Sequence, residues 1–184
     1  MRTEREKMVA GEAYDPMDLE LAAARRRARD LCRDLNAAPE GDATLRRHIL
    51  AQLFGRGGDT VWMQPPFFCD YGTNIRLGSR VYMNFDCVIL DCGRVTIGDN
   101  VLFGPGVHIY AATHPIDPEL RKSGRELALP VTIGDNVWIG GGVKICPGVT
   151  IGSSTAIGAG SVVVHDVPAG VVAAGNPCRV VREA

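Results

Sequence analysis

Residues 107–117 read VHIYAATHPID, and a strict six-residue rhythm ends there on a histidine. An imidazole can take and return a proton at neutral pH, with an ordinary pKa near 6.5. A neutral hydroxyl is a weak nucleophile, and a base of this kind activates one. The plain alternative for His114 is a hydrogen-bonded loop residue. Its position argues for more. The irregular run PIDPELRKSGRELALPVT (115–132) follows His114, and the rhythm resumes in phase at Ile133, having last begun cleanly at Ile97. An insertion that leaves the register intact costs a repeat little. It also sets the imidazole at the rim of a rigid wall, beneath a loop, where catalytic groups are often carried.

The elements that must hold this histidine are periodic. Reading in sixes from Ile97 gives IGDNVL, FGPGVH and IYAATH; from Ile133 it gives IGDNVW, IGGGVK, ICPGVT, IGSSTA, IGAGSV and VVHDVP. A weaker block, LGSRVY–MNFDCV–ILDCGR from Leu77, is offset by two residues at Val95-Thr96. An apolar residue leads each hexad, Gly usually follows, and a small or β-branched residue usually sits four after the lead. Six fits neither the helical period nor a hairpin array. It fits a parallel β-helix, each hexad a short strand and a turn. Lead residues fill the prism, and Gly or Asn-Asp supply the turns. Three hexads close one coil, so 77–94, 97–114, 133–150 and 151–168 are expected as coils of eighteen, stacked about 4.8 Å apart.

Ahead of the repeat, residues 1–60 read as a helical segment and 61–184 as the β-helix domain with the inserted loop 115–132. One helix starts at Asp15-Pro16 or Asp18, with Leu21, Ala24, Ala28, Leu31 and Leu35 on one face. A second opens at Asp42 or Thr44 and stops at Gly55. The RRRAR run at 25–29 lies among Asp18, Glu20, Asp30 and Asp34, which reads as a solvated helix face.

The net charge of −1 gives no electrostatic case for nucleic acid. No stretch is apolar for long enough to span a bilayer, and MRTEREKMVAGEAYD has no apolar signal segment. The six cysteines form no CxxC pair. They read as reduced thiols of a cytoplasmic protein, mostly filling small core positions.

EREKMVAGEAYD, QPPFFCDYGTNI, NFDCVILD, GVHIYAATHPID, PVTIGDNVWIGGG and GNPCRVV together resemble the maltose and galactoside O-acetyltransferases, the maltose branch more closely. The resemblance spans nearly the whole chain. It implies a left-handed β-helix, against the usual right-handed crossover rule, and a homotrimer with a site at each subunit interface. It implies direct acetyl transfer from acetyl-CoA to a sugar hydroxyl of maltose or glucose type, with His114 as base and no acyl-enzyme. Asn84 matches the side chain that helps hold the reacting hydroxyl; by spacing alone it is equally a turn Asn. Asp70, Tyr82, Leu102 and Glu126 fall where the galactoside enzymes line the acceptor pocket, although that branch has Ser and Met at the places of Asp70 and Glu126. Asp91 is the carboxylate of ILDC, with Cys92 where that branch has a second acid. Asp15 and Asp18 straddle the place of an N-terminal acceptor-binding Asp.

For coenzyme A the resemblance assigns Trp138, Gly141 and Ala159 to the pantetheine groove, with the Gly141 N–H as an oxyanion donor. Arg179 and Arg182 match the nucleotide-phosphate contacts. Val164-His165 stands where the family has Thr-Lys. No metal is expected. Other acceptors, such as a galactoside, an oligosaccharide or a xenobiotic alcohol, remain open. A metal-dependent hydratase like the γ-class carbonic anhydrases would need three His ligands, and only His108 and His114 are near one another in sequence. A non-catalytic scaffold is disfavoured by the intact His114, Asn84 and Trp138.

Overall fold

A computed structural model describes residues 2–184. The hexads wind into a prism with three flat faces. The first face stacks Trp62–Met63, Tyr82–Met83, Leu102–Phe103, Trp138–Ile139, Ala156–Ile157 and Val171–Gly175 in parallel, with Cys178–Glu183 turning back antiparallel at the end. The second stacks Phe67–Cys69, Cys87–Leu90, His108–Tyr110, Lys144–Ile145 and Val162–Val163. The third stacks Ile75–Leu77, Val95–Ile97, Val131–Ile133 and Thr150–Ile151. In each strand alternate residues point inward, so Met83, Phe103, Ile139 and Ile157 form one buried column and Ile97, Ile133 and Ile151 another.

The Asp-Asn of each IGDN has a definite task at the corner between the third and first faces. Asp99 Oδ1 accepts from Ser79 N (2.6 Å), and Asp135 Oδ1 accepts from Asp99 N (2.8 Å). Asn100 and Asn136 take left-handed backbone angles (φ 56° and 57°), and Asn100 Nδ2 donates to Asn136 Oδ1 at 3.0 Å. A polar ladder therefore rises up one corner while apolar columns fill the interior.

The coil expected as eighteen residues over 77–94 is longer. Leu77 pairs with Ile97 and Phe67 with Cys87, so the upper coils repeat every twenty. The extra pair lies at the corner between the second and third faces, which takes eight steps from Ile89 to Ile97 but six from Ile145 to Ile151. That corner also carries the insertion. The loop leaves the coil earlier than expected. It spans 112–130, because Ala112–Thr113 already pairs antiparallel with Leu127–Ala128 and Val131 is back in register with Val95.

Among the described residues four helices complete the fold: α1 (Glu4–Val9), α2 (Leu19–Ala37), α3 (Ala43–Leu53) and, inside the loop, α4 (Pro118–Lys122). Thr3, Asp18, Asp42 and Asp117 cap their N-termini through side-chain oxygens. Ala28, Cys32 and Leu35 of α2 and Ile49, Leu50 and Leu53 of α3 share one buried cluster with Phe67, Ile75 and the prism columns below. The helices thus plug the open end of the prism. Asn36 stands in for a missing strand there, donating to Phe67 O (3.0 Å) and accepting from Phe67 N (2.9 Å). Gly55 lies so close to the first coil that a Cβ would sit 2.2 Å from Thr73 O. No helix among the described residues is long and apolar enough to cross a membrane.

Candidate active site

The widened corner between the second and third faces builds the first half of the site. Asp91 anchors it. Its Oδ1 accepts from Asp70 N (3.1 Å) and Tyr71 N (2.8 Å), and its Oδ2 from Asn74 N (3.3 Å). The residue is wholly buried. Burial pushes its carboxyl up to about 6, against the backbone N–H groups that favour the charge. Asp91 was expected at the acceptor. Here it faces inward and shapes the 70–74 turn, because two added corner residues leave backbone N–H groups that need a buried acceptor.

Asp70 is half-buried on the outer side of that turn and accepts the Cys92 thiol at 3.5 Å. Burial raises its pKa, while the Cys92 hydrogen bond, Arg25 and Arg29 oppose the rise. Arg25 comes from the run expected to be a solvated face. It is instead half-buried, donating to Tyr71 Oη (2.8 Å) and to Pro16 O (2.6 Å). Burial carries the Tyr71 phenol up to about 12, so Tyr71 is a fixed neutral acceptor for Arg25.

The inserted loop brings the histidine. His114 follows the strand Ala112–Thr113, and its side chain is 61% exposed. Across the loop, Glu126 Oε1 lies 4.0 Å from His114 Nε2. The N-terminal arm holds Glu126 in place. Tyr14 and Glu126 exchange both backbone hydrogen bonds at 3.1 Å, and Tyr14 Oη donates to Glu126 Oε2 at 2.7 Å. Tyr14 is completely buried with Met8, Leu21, Tyr71, Cys92 and Ala128. Burial, then the neighbouring Cys92, keeps its phenol far above the ordinary range and protonated. Asp15 is exposed beside this pair; its N–H donates to Glu4 Oε2 at 2.6 Å and its Oδ1 accepts from Met17 N at 2.8 Å. Asp18 caps α2 through Glu20 N and Leu21 N.

The second half of the expected site lies elsewhere on the prism. Tyr82, Leu102 and Trp138 form one outward ladder on the first face, where Leu102 and Trp138 are 49% and 60% exposed. Asn84 sits at the corner between the first and second faces, its Oδ1 accepting from Phe85 N at 2.8 Å. Gly141 and Ala159 turn the same corner two and three coils further down. Gly140 N and Gly142 N donate to Ile157 O and Pro105 O at 2.8 Å each, while Gly141 N finds no acceptor among the described residues. Arg179 and Arg182 lie exposed on the returning strand, which pairs with the first face. Val164 and His165 are exposed at the last coil's corner between the second and third faces, below the loop.

One chain thus carries the His114 imidazole with carboxylates along one edge of the second face, and along the other an apolar ladder with the Gly141 N–H that has no acceptor among the described residues. Between them the second face shows Phe68, Val88, His108, Lys144 and Val162 outward. The third face shows Arg76, Thr96, Thr132 and Thr150, a polar surface. His108 Nδ1 is engaged by Tyr110 Oη at 2.8 Å, and no group of three potential metal ligands occurs among the described residues. Nothing in the sequence alone assigns a role to Tyr14, Tyr71 or Arg25. AYDP and CDYG held the two tyrosines in motifs already quoted, but nothing in their spacing says that they meet.

Residues 7–58 match the family described as the maltose acetyltransferase hexapeptide capping motif. Residues 130–165 match the bacterial transferase hexapeptide repeats, which make the solenoid a left-handed parallel β-helix. The galactoside O-acetyltransferase of Escherichia coli is 44% identical over 97% of this chain and 88% of its own. A crystal structure of a maltose O-acetyltransferase from Clostridium difficile 630 superposes with a TM-score of 0.97 at 49% identity, covering 99% of this chain and 97% of that one. A hexapeptide-repeat acetyltransferase from Vibrio cholerae, solved with acetyl coenzyme A, superposes with a TM-score of 0.92 at 39% identity, over 99% and 98% of the two chains.

Proposed function

The chain belongs to the maltose and galactoside O-acetyltransferase family, and from that premise we propose that it moves an acetyl group from acetyl-CoA to a hydroxyl of a maltose- or glucose-type sugar, with His114 as general base. His114 takes the proton of the attacking hydroxyl and returns it to the departing thiolate of coenzyme A. The unpartnered Gly141 N–H receives the oxyanion of the tetrahedral intermediate, a contact that contributes about 3 kcal/mol where it is preorganised. Trp138 and Ala159 border an extended pantetheine chain, Arg179 and Arg182 meet the nucleotide phosphates, and Asn84 steadies the reacting hydroxyl. Val164-His165 borders the same cofactor without a fixed cation.

The observation that carries the reading is the separation of the two halves across the second face. A second copy that seats its second face beside the first face of its neighbour closes the gap, and three copies close the ring. Apolar side chains on these two faces support this, as does the third face, whose polar row suits solvent. The loop tip agrees with it, since Ile116 is 94% exposed and Leu120 61% exposed on a single chain.

For the acceptor, Glu126 stands 4.0 Å from His114, Asp70 and an N-terminal carboxylate (Asp15 or Asp18) add further acceptors, and Tyr82 and Leu102 border the pocket from the neighbouring first face. Carboxylates that accept several hydroxyl hydrogens suit a polyhydroxylated ring better than a simple alcohol.

The test is acetyl-CoA turnover, read as free thiol release, against maltose, glucose, galactosides and non-sugar alcohols. Wild type and His114→Ala are run side by side, with the mass of the assembly measured in solution. Glucose- or maltose-dependent release from a trimer, cut by about 10²–10⁴ in the variant while coenzyme A affinity is kept, is the expected result. Retained kcat in His114→Ala removes the base. Release only with a non-sugar alcohol removes the acceptor, and an active monomer removes the shared site.

A further inference from the structure

Two of the six thiols face each other. Cys32 Sγ of α2 and Cys69 Sγ on the second face of the first coil are 3.8 Å apart, and both residues are buried. No other pair of sulfurs meets among the described residues. Cys87 donates to Gly104 O and Cys92 to Asp70, while Cys146 and Cys178 stand singly. On a single chain the Cys32–Cys69 contact is also reachable. A cavity of about 620 Å³, lined by Arg29, Arg33, Asn36, Phe68 and the two cysteines themselves, opens onto it from the surface. Arg33 is occupied by Asp30 and Asp34, and Arg29 acts on Asp70. A sealed core needs no opening, whereas a thiol that meets an oxidant does.

We propose that Cys32 and Cys69 form an oxidation site, a dithiol that closes to a disulfide and ties α2 to the first coil. Cys32 is the attacking sulfur: the hydrogen bond between the two thiols draws its pKa down, whereas that same bond and burial hold Cys69 up as the resolving thiol. With a peroxide as oxidant, the Cys32 thiolate breaks the O–O bond, takes one oxygen as a sulfenic acid and releases water. The Cys69 sulfur then displaces that oxygen as a second water. Two S–H bonds are lost, one S–S bond forms, and the peroxide is reduced by two electrons. A small disulfide serves in the same way and leaves as two thiols.

Closing the bond brings the sulfurs from 3.8 Å to about 2.05 Å. Cys69 is joined to Asp70, and Asp70 N is tied to the buried Asp91. The pull therefore reaches the acceptor corner and leaves the Gly141 corner untouched. This effect on substrate rests on the acceptor assignment above, whereas formation of the bond does not.

The experiment uses the full-length protein as it assembles. It is exposed to an equivalent of hydrogen peroxide, and separately to oxidised glutathione, then unfolded without reductant for thiol counting and intact mass. The expected result is the loss of two thiols of six, a mass lower by two hydrogens, and a peptide linking the segments around Cys32 and Cys69. A rise of about 5–10 °C in Tm accompanies these changes, and dithiothreitol reverses them all. Cys32→Ser loses no thiol under the same exposure, whereas Cys69→Ala stops at Cys32, which gains one oxygen from peroxide or one glutathione, and yields no linked peptide. The proposal is overturned by six thiols surviving in the wild type, or by equal loss in the variants. Oxidised wild type should also change its acceptor KM by about threefold or more at constant acetyl-CoA KM. An unchanged acceptor KM with the disulfide proven removes the coupling and leaves the site. Thiol loss without any sugar activity in the reduced protein faults the acceptor assignment alone.

Discussion

Asp91 offers the sharpest test, because its carboxylate is expected to hold the acceptor corner from inside without touching the acceptor. Asp91→Ala leaves Asp70 N, Tyr71 N and Asn74 N without their acceptor in a buried turn. Each unpaired buried N–H costs about 1–3 kcal/mol, and some water enters the space, so a loss of about 3–5 kcal/mol follows. For a chain of this length that lowers Tm by roughly 10 °C. Asp91→Asn keeps Oδ1 for Asp70 N and Tyr71 N, and sets its amide against Asn74 N, the longest of the three bonds at 3.3 Å. It also removes a buried charge, and should lose no more than about 1–2 kcal/mol.

The pH dependence separates the two effects. The folded carboxyl is raised from 3.8 to about 6, so the folded state binds the proton more tightly than the unfolded chain. The resulting stabilisation is fully present below pH 3.8 and is lost as pH rises through 6. Wild type therefore gains about 1.4 kcal/mol over Asp91→Asn for each unit of acidification between those values, about 3 kcal/mol in all. Thermal unfolding at pH 5 and 7, with acceptor KM measured alongside, reads all of this. Equal losses in the Ala and Asn variants would refute the argument from acceptors. So would an Asp91→Ala protein of unchanged Tm and raised acceptor KM, which would put the carboxylate on the substrate.

Tyr14→Phe removes the 2.7 Å bond that fixes Glu126; acceptor KM should rise about 3–10-fold with acetyl-CoA KM unchanged, by steady-state kinetics. Gly104→Ala sets a Cβ 2.5 Å from Gly141 N, whereas Gly141→Ala meets Pro105 O at 3.2 Å. The first should lose about 2 kcal/mol or more in chemical denaturation and the second about 1 or less; equal losses would refute the steric argument. Arg25→Ala frees Tyr71 and the Pro16 carbonyl. Protease nicking of the N-terminal arm should then speed up, while the prism resists as before.

Much of the fold was legible because a solenoid writes its geometry locally. Each hexad states its inward residue and its turn, so the coils below Ile133 follow from the sequence at eighteen per turn. The caps at Asp18 and Asp42 were legible for the same reason. The upper coils were less so. Their two added residues appeared as a phase slip at Val95-Thr96, and the purpose of the slip, a turn closed on the buried Asp91, depends on residues about twenty apart. His114 stood out because it ends a pattern. Tyr14 and Glu126 meet from opposite ends of the chain, 112 residues apart, and no periodicity links them. Arg25 was misjudged because charge balance along a helix says nothing about which face meets a neighbouring turn.

The widened corner explains why the insertion sits where it does. A coil that turns in eight leaves an outward bend whose backbone needs inner support, and here Asp91 supplies it. Room outside and an anchor inside are what a loop needs if it is to depart without loosening the prism. The same geometry sends His114 away from the glycine corner, since a rigid face separates them on every coil. On the proposed shared site, a monomeric variant should keep its fold and its buried Asp91 and lose turnover.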